Sequence, residues 1–301
     1  MTQPQLRVRA GVGMTAGIVQ RHSLTYTRVP IDHPLLIVVL RGAKTLRAAG
    51  DEWVVPAGHA VAINRGQTLD IRNLPDAQGA YEARWLVWDE SLLGEHTEQT
   101  TRSRAQEADA SMTRPIRSAW PLGALGPAFM QAVDAAIDCI LAPENTPLEV
   151  ARHRMRELLV WIGTCDGHFE SAEVSSVQQR VRDLLSASPH NPWTAAQVGH
   201  ALAMSEATLR RRLMAEGARL SELLVDVRMS LALTLLQASS LSVSQIAMNS
   251  GYESPSRFAV RFRQRFGFAP TAVRGHQRID HHLAVDEVGP DQQAPGGVTG
   301  R

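Results

Sequence analysis

The sequence predicts an α+β chain in two parts. A β-sandwich or barrel with flanking helices comes first, followed by an all-α part of two short-helix pairs joined by one long helix. Three observations predict this. Short apolar runs broken by turn residues fill positions 6–90, apolar residues at helical spacing take over from about position 125, and basic charge is confined to one late stretch. At 301 residues, 44% hydrophobic and 20% charged, the composition is that of a globular chain of one to three domains. The longest apolar run has six residues, far short of the ~20 a membrane span needs.

The β-rich part is read strand by strand. Leu35–Leu40 is the six-residue apolar run and reads as a buried strand. Trp53–Val55 and Ala60–Ile63 are short strands separated by the turn signal Pro56-Ala57-Gly58. Thr68–Arg72 alternates, with Leu69 and Ile71 on one face, and Tyr81–Trp88 is a further strand with Trp85 and Val87 facing in. The Gly11–Gly17 stretch reads as a turn: its glycines miss a dinucleotide fingerprint by one place and no βαβ unit follows. Residues 91–120 are polar, and Glu95–Ser111 reads as a loop.

Two helices follow, over 125–142 and 147–163, with Pro143 and Pro147 at the break. The first carries a stripe of Phe129, Val133, Ile137, Ile140 and Leu141, the second a stripe of Leu148, Met155, Leu158, Leu159 and Ile162. The expected domains are therefore 1–166, a linker at 167–176, a helical domain at 177–276 and a disordered Pro/Gly/Asp-rich tail at 277–301.

Charge separates these parts. Residues 177–278 hold 13 Arg, no Lys and 6 acids, for +7, whereas the stretches on either side each carry −3. A confined basic block is what a polyanionic partner requires. Thr194-Ala195-Ala196-Gln197 and Ser242-Val243-Ser244-Gln245 are both capping boxes, each opening a short helix closely followed by another. Ser205 caps the second helix of the first pair, and Ser254-Pro255 caps and starts the second helix of the other, after a turn at Gly251.

Each of those second helices repeats one design. Leu209 and Leu213 face inward while Ala207, Arg210 and Arg211 face out, with Arg212 at the flank. Phe258, Phe262 and Phe266 face inward while Ser256, Arg257, Val260 and Gln264 face out, with Arg261 at the flank. This suits a helix in a major groove: small residues permit close approach, arginine can pair with guanine, and flanking arginines reach phosphates. The connector Leu220–Gln237 repeats Leu223, Val227, Leu231 and Leu235. It would span about 27 Å, near the ~34 Å between successive major-groove faces.

Residues 177–275 are similar to the DNA-binding domain of the AraC/XylS family of bacterial transcription regulators. The match runs through Arg228-Met229, Ala232, Leu235-Leu236, Ile246-Ala247, Gly251-Tyr252, Ser254, Ser256, Phe258, Arg261-Phe262, Phe266-Gly267 and Pro270. Val273 departs from the pattern where an aromatic is common, and Val260 where polar residues often occur. The resemblance implies a cytoplasmic, nucleoid-associated regulator, more often an activator, that binds double-stranded promoter DNA and contacts RNA polymerase. It also implies a cupin-like N-terminal domain that forms a homodimer and senses a small-molecule or protein effector. A pocket inside the β-shell would draw on Trp53, Trp85 and Trp88. Arg41, Lys44 and Arg47 either neutralise an anionic effector or form a solvated strand face.

Enzyme readings find no support in the residues. His22, His33 and His59 are isolated, without the His-x-His of metal-dependent cupins, and His281-His282 lies in the tail. Cys139 and Cys165 suit neither a disulfide framework nor a zinc cluster, and neither sits in a reactive motif. The expectation is no catalytic residue, no metal and no cofactor.

Overall fold

The structure, a computed structural model, describes residues 6–96, 113–169 and 176–274. The expected tail at 277–301 and most of the expected loop at 95–111 lie outside the described residues.

The N-terminal part is built on two antiparallel sheets. The strands are β1 (Arg7–Arg9), β2 (Gly13–Gln20), β3 (Leu24–Ile31), β4 (Leu35–Arg41), β5 (Ala43–Ala48), β6 (Asp51–Pro56), β7 (His59–Ile63), β8 (Gln67–Leu74), β9 (Tyr81–Trp88), β10 (Arg114–Pro115), β11 (Ala119–Ala124) and β12 (Gly167–His168). One sheet has the order β1-β2-β9-β4-β7-β11 and the other β3-β8-β5-β6; β10 pairs with β12 in parallel. The central strand β4 explains the unbroken apolar run. Ile37 and Val39 face the second sheet, while Leu36 and Val38 face a helix pair, so neither face meets water.

That pair is α1 (Pro127–Leu141) and α2 (Leu148–Thr164), packed over the outer face of the larger sheet. Phe129, Val133, Ile137 and Ile140 of α1 are buried, as are Met155, Leu158, Leu159 and Ile162 of α2. Leu141 and Leu148, expected on the buried stripes, are 44% and 46% exposed. They flank the 3-10 turn Pro143–Asn145, at helix ends with no further turn to cover them. Trp88 fixes the layer from below, its indole N–H donating to the Met155 carbonyl at 2.8 Å.

Other strand readings need correction. The glycine stretch read as a turn contains one only at 10–12, and from Gly13 it is strand. Gly13 has φ +148°, and a Cβ there would stand 2.2 Å from the Val87 carbonyl oxygen, so the close strand pairing demands glycine. The polar region before 120 hides β10 and the start of β11, with Ile116 fully buried between them. Gly167 and His168, assigned to a linker, pair with Arg114 and Pro115.

The C-terminal part contains α3 (Val177–Ala187), α4 (Ala195–Ala201), α5 (Glu206–Ala215), α6 (Leu220–Ala238), α7 (Val243–Asn249) and α8 (Pro255–Phe266). Helix α6 was expected to have one apolar stripe, yet it is apolar almost all round. Leu223 and Val227 pack with α3, α4 and α5. Met229, Ala232, Leu233, Leu235 and Leu236 join a core that contains α7, α8 and the interior of the β-sandwich. A helix apolar on every side is a buried helix, and α6 is enclosed by three bodies at once. Leu231, expected on the same stripe, is half-buried and looks into a cleft between α6 and the sandwich.

The N-terminal domain and the second helix pair thus share one core. Tyr26 meets Phe268 edge-on at 5.6 Å, and the Leu6 N–H donates to the Ala238 carbonyl at 2.7 Å. Phe262 lies fully buried among Phe258, Phe266 and Phe268, and Val273, buried nearby, completes the packing without an aromatic ring. Phe262→Ala is expected to destabilise the fold by about 3–5 kcal/mol in urea denaturation, the range for emptying an aromatic site in a core.

Candidate nucleic-acid interface and interdomain cleft

The two helix pairs are positioned by the same local chemistry. The Gln197 N–H donates to Thr194 Oγ1 at 3.2 Å and Gln197 Oε1 accepts from the Thr194 N–H at 2.9 Å. Ser242 and Gln245 repeat this at 3.2 and 2.8 Å. The turn follows at Ala203 (φ +55°) in one pair and Gly251 (φ +78°) in the other. Matching backbone bonds close it, Met204 N–H to the Gly199 carbonyl at 2.8 Å and Tyr252 N–H to the Ala247 carbonyl at 2.9 Å. Ser205 and Ser254 then accept from the Thr208 and Arg257 N–H groups to start α5 and α8. Leu209 and Leu213, and Phe258, Phe262 and Phe266, turn inward.

This packing leaves the outer faces of α5 and α8 open. Ala207, Arg210, Arg211 and Arg212 on α5 are exposed, and so are Ser256, Arg257, Val260, Arg261 and Gln264 on α8. The five on α8 line one open groove with Trp193. The four on α5 stand apart from that groove, and Arg210 is paired with Glu206 at 2.7 Å. Met214 on α5 and Val260 on α8 are 69% and 56% exposed, apolar groups on otherwise basic faces, and Met248 of α7, 67% exposed, borders the α8 groove. An apolar side chain at a groove-facing position can meet a thymine methyl.

Arg228 has a positioning role that sequence periodicity did not reveal. From α6 it donates to the Pro189 and Asn191 carbonyls at 2.9 and 3.0 Å, and its guanidinium lies 5.8 Å from the Tyr252 ring centroid, beside Gly251. It thereby ties the segment entering the first pair to the turn of the second.

Charge also crosses between the domains. Arg182 of α3, 8% exposed, bridges Asp32 at 3.2 Å and Asp226 at 3.3 Å. Asp226 also accepts from Arg265 at 3.0 Å, and Arg265 donates onward to the Thr27 carbonyl at 3.0 Å and to the Arg28 carbonyl. Burial pushes the Asp32 carboxyl up, against the pull of Arg182 and His33. Arg265 is thus turned away from the groove on its own helix and held by β3.

A cavity of about 540 Å³ lies between the sandwich and α6, within the range of small-molecule sites. Ile18, Ile37, Ile71 and Trp85 wall one side, with Val227 and Leu231 opposite. The expectation of a pocket enclosed by the β-shell alone is therefore corrected, because α6 supplies a wall. Of the three tryptophans proposed for it, only Trp85 lines it; Trp88 lies under α2 and Trp53 packs against the sandwich core.

The three cations of the β4–β5 region also separate. Arg41 pairs with Asp76 and Glu82, and Arg47 with Glu52, at the surface. Lys44 lines the cavity and is 3% exposed. Its ammonium donates to Asn73 Oδ1 at 2.6 Å and lies 5.3 Å from the Tyr81 ring centroid, and no carboxylate pairs with it among the described residues. Asn73 in turn donates to Gln20 Oε1 at 2.9 Å, which also accepts from the Tyr26 hydroxyl at 3.1 Å. Burial brings the Lys44 pKa down to about 7. Among the described residues no helix is long and apolar enough to cross a membrane, and no cluster of metal-ligating side chains occurs.

Comparison with known proteins agrees with this layout. Residues 13–159 match an AraC-like ligand binding domain and residues 198–276 a helix-turn-helix domain. The chain is 31% identical over 141 residues to the HTH-type transcriptional regulator YdeO of Escherichia coli K12, covering 44% of this chain and 55% of YdeO. It is 35% identical over 100 residues to the urease operon transcriptional activator of Escherichia coli, covering 33% and 34%. The chain thus spans about half the length of the first of these relatives and a third of the second. Vibrio cholerae ToxT with an unsaturated fatty acid bound is similar in fold, with a TM-score of 0.61 at 14% identity over 88% of this chain and 96% of ToxT. Residues 13–159 and 198–276 together cover most of the chain, and an AraC-like ligand-binding domain followed by a helix-turn-helix domain makes it a member of the AraC family.

Proposed function

We propose that this protein is a transcription regulator that reads two successive major-groove segments of promoter DNA with α5 and α8, under the control of a small molecule bound by its N-terminal domain. The observation that carries this reading is the repeated helix pair, with caps and turns matched and both outer faces left exposed and basic. Helix α6, of 19 residues and about 28 Å, spaces the two pairs at a distance suited to one side of a duplex. Arg210 and Arg211 on α5, and Arg257 and Gln264 on α8, would read base edges. Ala207 and Ser256 allow close approach, and Val260 offers a methyl contact. Arg212 and Arg261 would hold phosphates and set the register.

The family supports activation as the mode, with RNA polymerase as a protein partner. It also supports homodimerisation through the N-terminal domain. A small-molecule effector is favoured over a protein effector by the cavity between sandwich and α6. The ligand-binding family match and the ligand carried by ToxT point the same way.

The reading is tested by selecting fragments of the parent genome on the purified chain and footprinting those retained. Discrete promoter-proximal sites are expected; retention without sequence preference at any salt would overturn it. On such a site, Arg211→Ala and Arg257→Ala are each expected to cost about 1–3 kcal/mol in a gel-shift titration and to relax preference at one base position. Arg212→Ala and Arg261→Ala are instead expected to weaken all sequences alike, and to reduce the slope of log K against log salt by about 1 each.

A further inference from the structure

We propose that Arg265 of α8 is a DNA-backbone contact held in reserve, its guanidinium gripped by a bulge in β3 of the sandwich until that grip opens and a phosphate takes its place. This rests on the reading of the protein as a DNA-binding regulator, and it names a further contact and what withholds it.

Helix α8 carries four arginines. Arg257, Arg261 and Arg263 are exposed, whereas the Arg265 side chain is only 14% exposed. Arg265 stands one helical turn beyond Arg261 on the same flank, the flank suited to phosphates. Its charge is nevertheless engaged within the protein. It donates to Asp226 at 3.0 Å, to the Thr27 carbonyl at 3.0 Å and to the Arg28 carbonyl, and its guanidinium lies 5.3 Å from the Phe266 ring centroid.

The two carbonyls face Arg265 because β3 is irregular there. Tyr26 pairs with Ile71 and Val29 with Leu69, so Thr27 and Arg28 together stand opposite Asp70 alone. This is a β-bulge, which interrupts the ladder and re-aims the groups it carries. Arg28 takes the left-handed conformation, φ +54°, uncommon for a residue with a side chain. Its N–H donates to Asp70 Oδ1 at 2.6 Å, which holds the bulge in shape. A planar guanidinium fork can span two adjacent carbonyls, and the compact ammonium of a lysine cannot.

The grip is cheap to open. Thr27 and Arg28 are exposed, so water satisfies their carbonyls when Arg265 leaves. Asp226 keeps Arg182 at 3.3 Å, so no carboxylate is stranded. A phosphate oxygen is an ionised acceptor and forms stronger bonds to the same fork than neutral carbonyls do. Tyr26 and Val29, at the two ends of the bulge, also line the cleft between the sandwich and α6, so a molecule in that cleft bears directly on the grip.

The experiment is a gel-shift titration of one footprinted promoter site with the full chain, over a range of salt. Arg265→Lys keeps a charge for the phosphate but loses the fork, and is expected to bind about 3–10-fold more tightly than the parent. Asp70→Ala releases the bulge and is expected to give a similar gain, which should vanish when it is combined with Arg265→Ala. The slope of log K against log salt should be smaller for Arg265→Ala than for Arg265→Lys by about 1, the signature of one lost phosphate contact.

Binding by Arg265→Lys that is no tighter than the parent overturns the proposal. So does a gain from Asp70→Ala that persists beside Arg265→Ala, or an equal salt slope for Arg265→Lys and Arg265→Ala. In each of these cases the promoter footprint, and with it the DNA reading, still stands. Absence of a discrete footprint from the parent and from every variant overturns both. Should Asp70→Ala not fold, as judged by its melting transition, Arg265→Lys and Arg265→Ala decide.

Discussion

The enclosure of α6 between three packed bodies, which leaves only its first turn exposed, is the constraint on which the rest of this structure depends. A helix at the surface presents one apolar stripe and turns its other faces to water. Helix α6 gives Leu223 and Val227 to the first helix pair, and Met229, Ala232, Leu233 and Leu236 to the core shared by the second pair and the sandwich. Every side of it is therefore committed, and it cannot rotate or shift without uncovering apolar surface at about 25 cal/mol per Å². The spacing of α5 and α8, the docking of the N-terminal domain and the shape of the cleft all follow from this one element.

The two helix pairs are alike in local design and unlike in attachment. The first has its own small core, with Val181, Leu185, Val198, Leu209 and Leu213. The second has no core of its own: Ile246, Phe258 and Phe262 are continuous with the interior of the sandwich. Arg265 adds a polar tether at the flank of α8, between its open face and its buried phenylalanines. The N-terminal domain thus meets the second pair through packed side chains, and the first through α6 and the Arg182–Asp32 bridge from α3.

Polar groups inside the interdomain region differ in how well they are balanced. Asp32, Arg182, Asp226 and Arg265 alternate in sign and compensate one another. Lys44 has only neutral partners. A compensated chain of charges fixes the geometry of an interface, because each member is costly to strand. With no counter-charge beside it, burial instead makes the Lys44 amine easier to deprotonate, and its pKa falls to about 7.

Much of the helical part is legible without the structure because its signals are local. A capping box acts within three residues, and Thr194–Gln197 and Ser242–Gln245 form as their spacing requires. The inward leucines and phenylalanines of α5 and α8 follow from 3.6-residue periodicity, which also leaves the predicted DNA-facing residues exposed. The apolar run at Leu35–Leu40 and the alternation at Tyr81–Trp88 likewise mark their own strands. Strands such as β5 and β11 carry polar or small residues whose place is set by the neighbours they pair with, and no local pattern announces them. The sequence by itself determined the helix pairs, their caps and their open faces. Tertiary structure alone decided that Leu231 borders a cleft, that Arg265 grips β3, and that of three nearby cations Lys44 is the one buried without a counter-charge. These depend on contacts between residues far apart in the chain, and a one-dimensional pattern does not encode which distant surface will cover a given side chain.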